Sequence, residues 1–498
     1  MDIRIDKKEK TPVYLQIVWQ IRAGIRCGEL PENSALPSER ALAQRLGVHR
    51  NTVIKAYGEL KADGLISSKQ GVGYVVCAHE SAPVAAEPQP VHRGSRVNWL
   101  EQIRRSELFR ERAFDDLFER AEGESRYSLG SGIAQPDVYD REKLARDISA
   151  LLGSANHDRG FFSPYKGDRT LRQRFASFLS TKGVRASAGE IQVLTEMNQA
   201  LSYIVSLLVK PGDVVMMEEP VSPDVYRMIA LAGGEVCTVP VDEEGMDCDI
   251  LERMIRQRRP RFLFVNSSFH DPTGAILPLE RRRRIIELSD RYRIPIVEED
   301  AASELVYDGP RIPPLKALDR QGNVIYIYSF SLTFIPGLSL AFVTADKNVI
   351  EGMSFLASVG MALPGWMTQK IAALYLEDGT YYAALDAFRR SYGKKQQLVC
   401  DMLDGMADWG VRYVRPRGGV YVWCRLPAGI DSKVLAARAY SKGLMIMPGY
   451  VFYPDSKEGR THIRISCSYE TPERLVAGML LLRESISELM DQQLAHEK

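Results

Sequence analysis

Between Pro12 and Arg26 the apolar residues fall at Val13, Leu15, Ile17, Val18, Ile21 and Ile25, a spacing that predicts a helix with one buried face. Two shorter helices are expected over Ser38–Leu46 and His49–Gly58, joined through Gly47. Gly64–Val76 then reads as a two-stranded wing with its turn at Gly71-Val72-Gly73. Further along the pattern changes. Short apolar runs at Val214–Met217, Glu235–Val239, Arg261–Val265, Pro295–Glu298, Val324–Tyr328 and Leu340–Val343 are separated by helical stretches such as Arg281–Tyr292. Apolar runs without alternation are what strands covered on both faces show, so an α/β domain with a mostly parallel sheet is predicted.

Between the two patterns, residues 78–98 hold Ala, Pro, Glu and Ser with almost no large apolar side chains, which cannot repay the entropy of folding. The expected division is a small DNA-binding-type unit over 10–77, a linker over 78–105 and a large α/β unit over 106–498. The large unit is expected to hold a large subdomain at about 165–350 and a smaller α+β subdomain from 106–160 and 355–498. A chain of 498 residues exceeds the roughly 250–300 at which a single core stops growing, so several domains are expected.

Composition adds exclusions. With 45% hydrophobic and 26% charged residues and no run of about 18 apolar positions, no membrane span is expected. The charged segment Met1–Lys10 lacks the apolar stretch of a signal peptide, and a cytoplasmic location is expected. The seven cysteines are scattered without a Cys-x-x-Cys pair and the seven histidines are equally dispersed, so no metal site and no Cys/His nucleophile is predicted. Net charge is unevenly shared: residues 1–77 carry 12 Lys/Arg against 8 Asp/Glu, and the remainder 53 against 56. The run Arg281-Arg282-Arg283-Arg284 opens a predicted helix and is read as a solvated face rather than a nucleic-acid site.

Helix-turn-helix recognition requires a second helix whose first residues reach base edges while neighbouring cations meet phosphates. His49, Arg50, Asn51, Thr52 and Lys55 occupy such positions, Arg40 lies on the preceding helix, and Lys69, Gln70 and Gly71 lead into the wing. Leu42, Leu46, Val48, Val53, Ala56 and Leu60 are the expected core beneath them. From Leu36 to Ile66 the chain closely resembles the winged-helix domain of GntR regulators. That resemblance implies contacts with double-stranded operator DNA from Arg40, Arg50, Thr52 and Gly71, accompanied by His49, Asn51, Lys55, Lys69 and Gln70.

From about Ser128 to Leu482 the chain resembles fold-type I aminotransferases. The resemblance is carried by Pro164-Tyr165-Lys166-Gly167, Leu208–Val215 with Glu219-Pro220, Asp271-Pro272-Thr273-Gly274, Pro336-Gly337-Leu338, Gly418–Trp423 and His462–Ile465. With the GntR head, the whole resembles the MocR subfamily of regulators, which implies a homodimer and a site for pyridoxal phosphate. The cofactor positions, however, carry unsuitable residues. Leu332 stands where the Schiff-base lysine belongs and Ser339 where a phosphate-binding arginine belongs. Glu196, Met197 and Asn198 replace the small-residue turn at a helix start that would bind the phosphate. Glu299 aligns with the aspartate that pairs with the pyridinium nitrogen, Ala301 with a tyrosine, Ser222 with the stacking aromatic and Asp271 with the asparagine at the ring hydroxyl. Asp300, one residue out of phase in the same strand, should face the other side. Arg464 matches the arginine that grips the substrate carboxylate, and it is the candidate for binding a small-molecule effector.

The expectation is therefore a sequence-specific DNA-binding transcription regulator whose aminotransferase-like domain is catalytically inactive, lacks its cofactor, pairs the protomers and senses an effector. Three alternatives stand beside it: a regulator that holds pyridoxal phosphate without a covalent bond, an active aminotransferase with a DNA-binding head, and a purely structural domain with no ligand. The carboxylates Glu196, Asp271 and Glu299, converging on the old cofactor cavity, would make it acidic and suited to a cationic, amine-bearing or metal-bound ligand.

Overall fold

The computed structural model describes Ile3, Ile5 and residues 12–26, 30–62, 65–69, 73–77, 126–134, 138–154, 163–360, 364–455 and 459–496. The expected linker, Gln70 and Gly71 lie outside the described residues. The chain forms two compact units that meet in sequence at Val97 and Asn98.

In the first unit, helices α1 (Val13–Arg26), α2 (Glu39–Leu46) and α3 (Arg50–Ala62) precede an antiparallel pair, β1 (Ile66–Lys69) and β2 (Gly73–Val76). The Ser38 hydroxyl accepts a hydrogen bond from the Ala41 N–H and starts α2, and Gly47, at φ 60°, ends it in the left-handed conformation that favours glycine. Leu42, Val53, Ala56 and Leu60 are buried against Ile17, Val18 and Ile21 of α1, as the helical spacing predicts, while Leu46 and Val48 are only partly covered. Tyr57 closes the core against the wing: its ring meets that of Tyr74 edge-on and its hydroxyl donates to the Pro37 carbonyl at 2.8 Å.

The second unit is built on an eight-stranded sheet in the order Ile191–Leu194, Ala341–Thr344, Val324–Ser329, Ile296–Asp300, Phe262–Asn266, Val214–Glu219, Glu235–Asp242 and Gly245–Met246. The five strands from Val324–Ser329 to Glu235–Asp242 run parallel to one another, and only Ala341–Thr344 and the short terminal strand break the pattern. Buried clusters on both faces explain the apolar runs: Val215, Phe262 and Val297 pack to one side, and Met216, Leu263 and Ile296 to the other. A smaller antiparallel sheet of Arg412–Tyr413, Tyr421–Arg425, His462–Ser466 and Met447–Pro448 packs with the long helices Thr380–Asp404 and Pro472–His496 around its own core.

The four-arginine run departs from expectation at one position. Arg281, Arg283 and Arg284 do pair with acidic residues at the helix surface, but Arg282 is fully buried. Its guanidinium donates to the Leu277, Ser267 and Pro313 carbonyls and to the Ser267 and Ser268 hydroxyls, tying the loop after Phe262–Asn266 to helix Leu279–Tyr292. Buried carbonyls need donors, and a guanidinium supplies five in one plane.

Candidate functional site

The basic face of the first unit is assembled from α2, α3 and the wing. Arg40, His49, Arg50, Asn51, Lys55 and Lys69 are exposed and Thr52 is half-buried. Arg50 opens α3 and its guanidinium lies 2.9 Å from the Glu39 carboxylate, which also accepts from the Tyr74 hydroxyl. Lys55 sits over the Tyr14 ring at 3.9 Å, and the His49 ring nitrogen Nδ1 accepts from the Asn51 N–H at the helix start. The predicted readers on α2 and α3 other than Thr52 are thus solvent-facing, while Leu42, Val53, Ala56 and Leu60 among them are buried and Ile54 is exposed.

The second unit contains a cavity of about 280 Å³ at the carboxyl edge of the parallel strands, where open α/β sheets place their ligands. Eight of the nine predicted cofactor positions line it: Glu196, Met197, Asn198, Ser222, Asp271, Glu299, Ala301 and Leu332. Ser339 does not; it is exposed beyond the loop, so its counterpart role is not brought to the cavity. Gly132, Asp224, Asn266, Ser268, Phe269, Ala302, Ser329, Ser331 and Tyr421 complete the lining and were not singled out from sequence. Asn266 and Ser329 end observed strands and lie one residue beyond the predicted runs Arg261–Val265 and Val324–Tyr328.

Asn266 and Glu299 are register partners on adjacent parallel strands, and the Asn266 Nδ2 donates to the Glu299 carboxylate at 3.2 Å. Burial raises the Glu299 carboxyl from the ordinary 4.5 to about 8, helped by the charges of Asp271 and Asp300. Asp300 faces away, as alternation along the strand predicts: it binds the Lys182 ammonium and accepts from the hydroxyls of Tyr326 and Ser303. Beneath the cavity, Glu218 accepts from the Asn266 N–H at 2.6 Å and lies 3.6 Å from His270 Nε2. Burial lifts the Glu218 carboxyl to about 8 and lowers His270 to about 3, so both are neutral at pH 7.

At the opposite wall Glu196 is the residue preceding helix Met197–Leu208 and makes no side-chain cap hydrogen bond. The position where helix N–H groups attract an anion therefore carries the chain's own carboxylate nearby. Asn198 donates to Asp224 at 3.1 Å. Leu332 is 2% exposed within an aromatic cluster, and its carbonyl accepts from the Tyr392 hydroxyl at 3.2 Å. Phe269 takes the left-handed conformation at φ 55°, with its ring packed under Gly418 and Gly419 so closely that a Cβ at either would collide with it. Among the described residues lining the cavity there is no lysine, arginine or histidine.

Arg464, the predicted effector-binding residue, is buried and paired within the chain. Its Nη1 contacts both Asp271 oxygens at 2.7 and 2.9 Å, Nη2 donates to the Gly130 carbonyl, and Tyr421 and Phe452 cover its faces. An acidic residue 193 positions away thus occupies the terminal nitrogens of the guanidinium, while its buried Nε has no hydrogen-bond partner among the described residues. Burial opposes its charge, and Asp271 more than restores it. Among the described residues no three His, Cys, Asp or Glu side chains gather in a way that could hold a metal ion.

Comparison with known proteins agrees with this two-part architecture. Residues 13–76 match the bacterial regulatory proteins of the gntR family, and residues 124–478 match aminotransferase class I and II. Over 490 residues the chain is 29% identical to the uncharacterized HTH-type transcriptional regulator YdfD of Bacillus subtilis, covering 97% of this chain and 98% of that one. It is 26% identical over 446 residues to the probable rhizopine catabolism regulatory protein MocR of Rhizobium meliloti, covering 89% and 88% of the two chains. The crystal structure of LysN, the alpha-aminoadipate aminotransferase of Thermus thermophilus, superposes with a TM-score of 0.68 at 28% identity, over 76% of this chain and 99% of that one. The chain belongs to the MocR-like regulators, in which a GntR-type winged helix is fused to an aminotransferase class I and II domain. It is a DNA-binding transcription regulator with an aminotransferase-like second domain, and among the described residues no helix is long and apolar enough to cross a membrane.

Proposed function

We propose that this regulator binds operator DNA as a homodimer through its winged helices, and that its aminotransferase-like domain carries out no transamination, holds no pyridoxal phosphate and serves pairing and effector sensing. The observation that carries the reading is Leu332 in the cavity wall, where an amine would be required to form an imine. Fit to the cofactor fails at its other end as well. A phosphate needs cations and free N–H donors, and this cavity's lining offers no basic side chain but places Glu196 beside the helix start. No step through the cofactor follows from these residues.

On the DNA side, a dimer reads two half-sites, with each α3 entering a major groove from its Arg50 end and Lys69 beside the phosphates. Cations placed at the solvent face of α2, α3 and the wing supply the electrostatic part of affinity. The effector's role is to bind two arrangements of the dimer unequally, which is what any ligand must do to shift operator affinity.

The test is an absorbance and calorimetric titration of the cofactor-stripped protein with pyridoxal phosphate, followed by borohydride treatment and mass analysis. No saturable heat, no imine band and no reduced adduct are expected. A trapped lysine adduct would overturn the reading; saturable binding without an adduct would favour a regulator that holds the cofactor non-covalently.

A further inference from the structure

We propose that the cavity at the strand ends is a receptor for a small organic cation, a protonated aliphatic amine lacking a carboxylate. The proposal rests on the reading above that pyridoxal phosphate does not occupy this space. Its first support is charge. Glu196, Asp224 and Asp271 line the cavity beside the Glu299 carboxyl, which burial keeps protonated; among the described residues no basic side chain lines it, and of the three charged groups Asp271 alone is matched, by Arg464.

The second support is independent of charge. Asn266 is only 8% exposed, its Nδ2 is spent on Glu299, and its Oδ1 has no hydrogen-bond partner. Asn198 repeats the arrangement, giving Nδ2 to Asp224 while its buried Oδ1 is left without a partner. The Asp224 carboxylate fixes which way the Asn198 amide points, since a carboxylate needs the N–H side. Both lining amides keep an acceptor while giving an N–H to a neighbouring acid, and a buried acceptor left unsatisfied costs free energy. The group that answers this set is one with several N–H donors, no acceptor and a positive charge, which describes an ammonium.

The walls fit an aliphatic stem. Phe269, Met197 and Leu332 line the cavity with apolar side chains. Arg464 gives both terminal nitrogens to Asp271 and Gly130 and is not among the residues lining the cavity, so among the described residues the wall presents no guanidinium fork to a ligand carboxylate, which sets an amine apart from an amino acid. A metal ion is not the expected cation, because among the described residues the acids do not converge as a metal-binding group.

The test titrates the full-length protein calorimetrically with 1,4-diaminobutane, using 1,4-butanediol as a neutral analogue and 4-aminobutanoate as a carboxylate-bearing one. Saturable heat is expected with the diamine, none with the diol, and weaker binding with the amino acid. Asp224→Asn should weaken the diamine about tenfold. Glu196→Gln, at an exposed position that cannot threaten the fold, should weaken it about threefold. Absence of diamine binding overturns the proposal, as does binding unchanged in both variants. Pyridoxal phosphate is titrated separately. If neither it nor the diamine binds, the cation receptor falls and the cofactor-free reading stands; if pyridoxal phosphate binds, that reading falls instead.

Discussion

Arg464 and Asp271 form a two-point ion pair, with Nη1 of the arginine 2.7 and 2.9 Å from the two carboxylate oxygens, across 193 positions of sequence. The arginine is 7% exposed and the aspartate 20%, so breaking the pair leaves a buried cation without its counter-charge. Asp271→Asn is expected to cost about 3 kcal/mol of stability. Urea denaturation measures it, and the double variant Asp271→Asn with Arg464→Leu should lose less than the sum of the two single changes. An additive double variant would mean that the two side chains are energetically independent.

Leu332→Lys alone should not restore an enzyme. The new amine would enter a cavity whose phosphate end still carries Glu196 and no cation, so the cofactor would lack its anchor. The expected result is no transamination with any amino acid supplied with pyridoxal phosphate, measured by keto-acid formation. Turnover from this single change would show that the remaining positions are still competent.

Acidity of the buried floor predicts a pH dependence. Glu218 and Glu299 keep their protons to about pH 8 in the folded chain, against 4.5 ordinarily, so on unfolding above pH 4.5 each releases one. The folded state then binds more protons, and stability falls as pH rises towards 8. His270, lowered to about 3, acts in the opposite sense, but only below its ordinary 6.5. Between pH 6.5 and 8 His270 no longer contributes, and a loss of about 1–2 kcal/mol per glutamate is expected, offset in part near pH 8 by Lys395, which burial lowers to about 8. Glu218→Gln should therefore melt higher than the parent at pH 8 and gain less at pH 6.5.

Arg50→Ala should abolish specific operator binding with little change in melting temperature. The Arg50–Glu39 pair has an arginine side chain 63% exposed, and such a pair contributes about 0–1 kcal/mol, so it is readily given up to a base edge or phosphate. Lys69→Ala should weaken binding to all sequences alike and reduce the salt dependence by about one ion. Fluorescence anisotropy with operator and unrelated duplexes separates the two effects.

Much of this was readable along the chain because it depends on local period. The apolar runs located the strands at Val214–Glu219, Phe262–Asn266, Ile296–Asp300 and Val324–Ser329 to within a residue or two, and alternation alone turned Glu299 and Asp300 to opposite faces. What stayed hidden depends on strand order and long-range meeting. Asn266 and Glu299, 33 positions apart, face each other only because their strands are neighbours. Asp224 joins the cavity through Asn198, 26 positions away, and Arg282 is buried because loop carbonyls from Ser267 and Pro313 surround it. No periodic signal in the helix announces that burial.

Phe269 carries a last consequence. Its ring is wedged between the cavity it lines and the Gly418-Gly419 backbone leading into the smaller sheet, where a Cβ has no room. A methyl group at Gly418 would meet both that ring and the Leu305 carbonyl, and one at Gly419 the Phe269 Cβ, so neither fits unless the wall behind the cavity shifts. The size of the receptor is thus set from behind, by two residues that never touch its contents, and selection can retune what fits by editing the back of the wall while leaving every binding group in place.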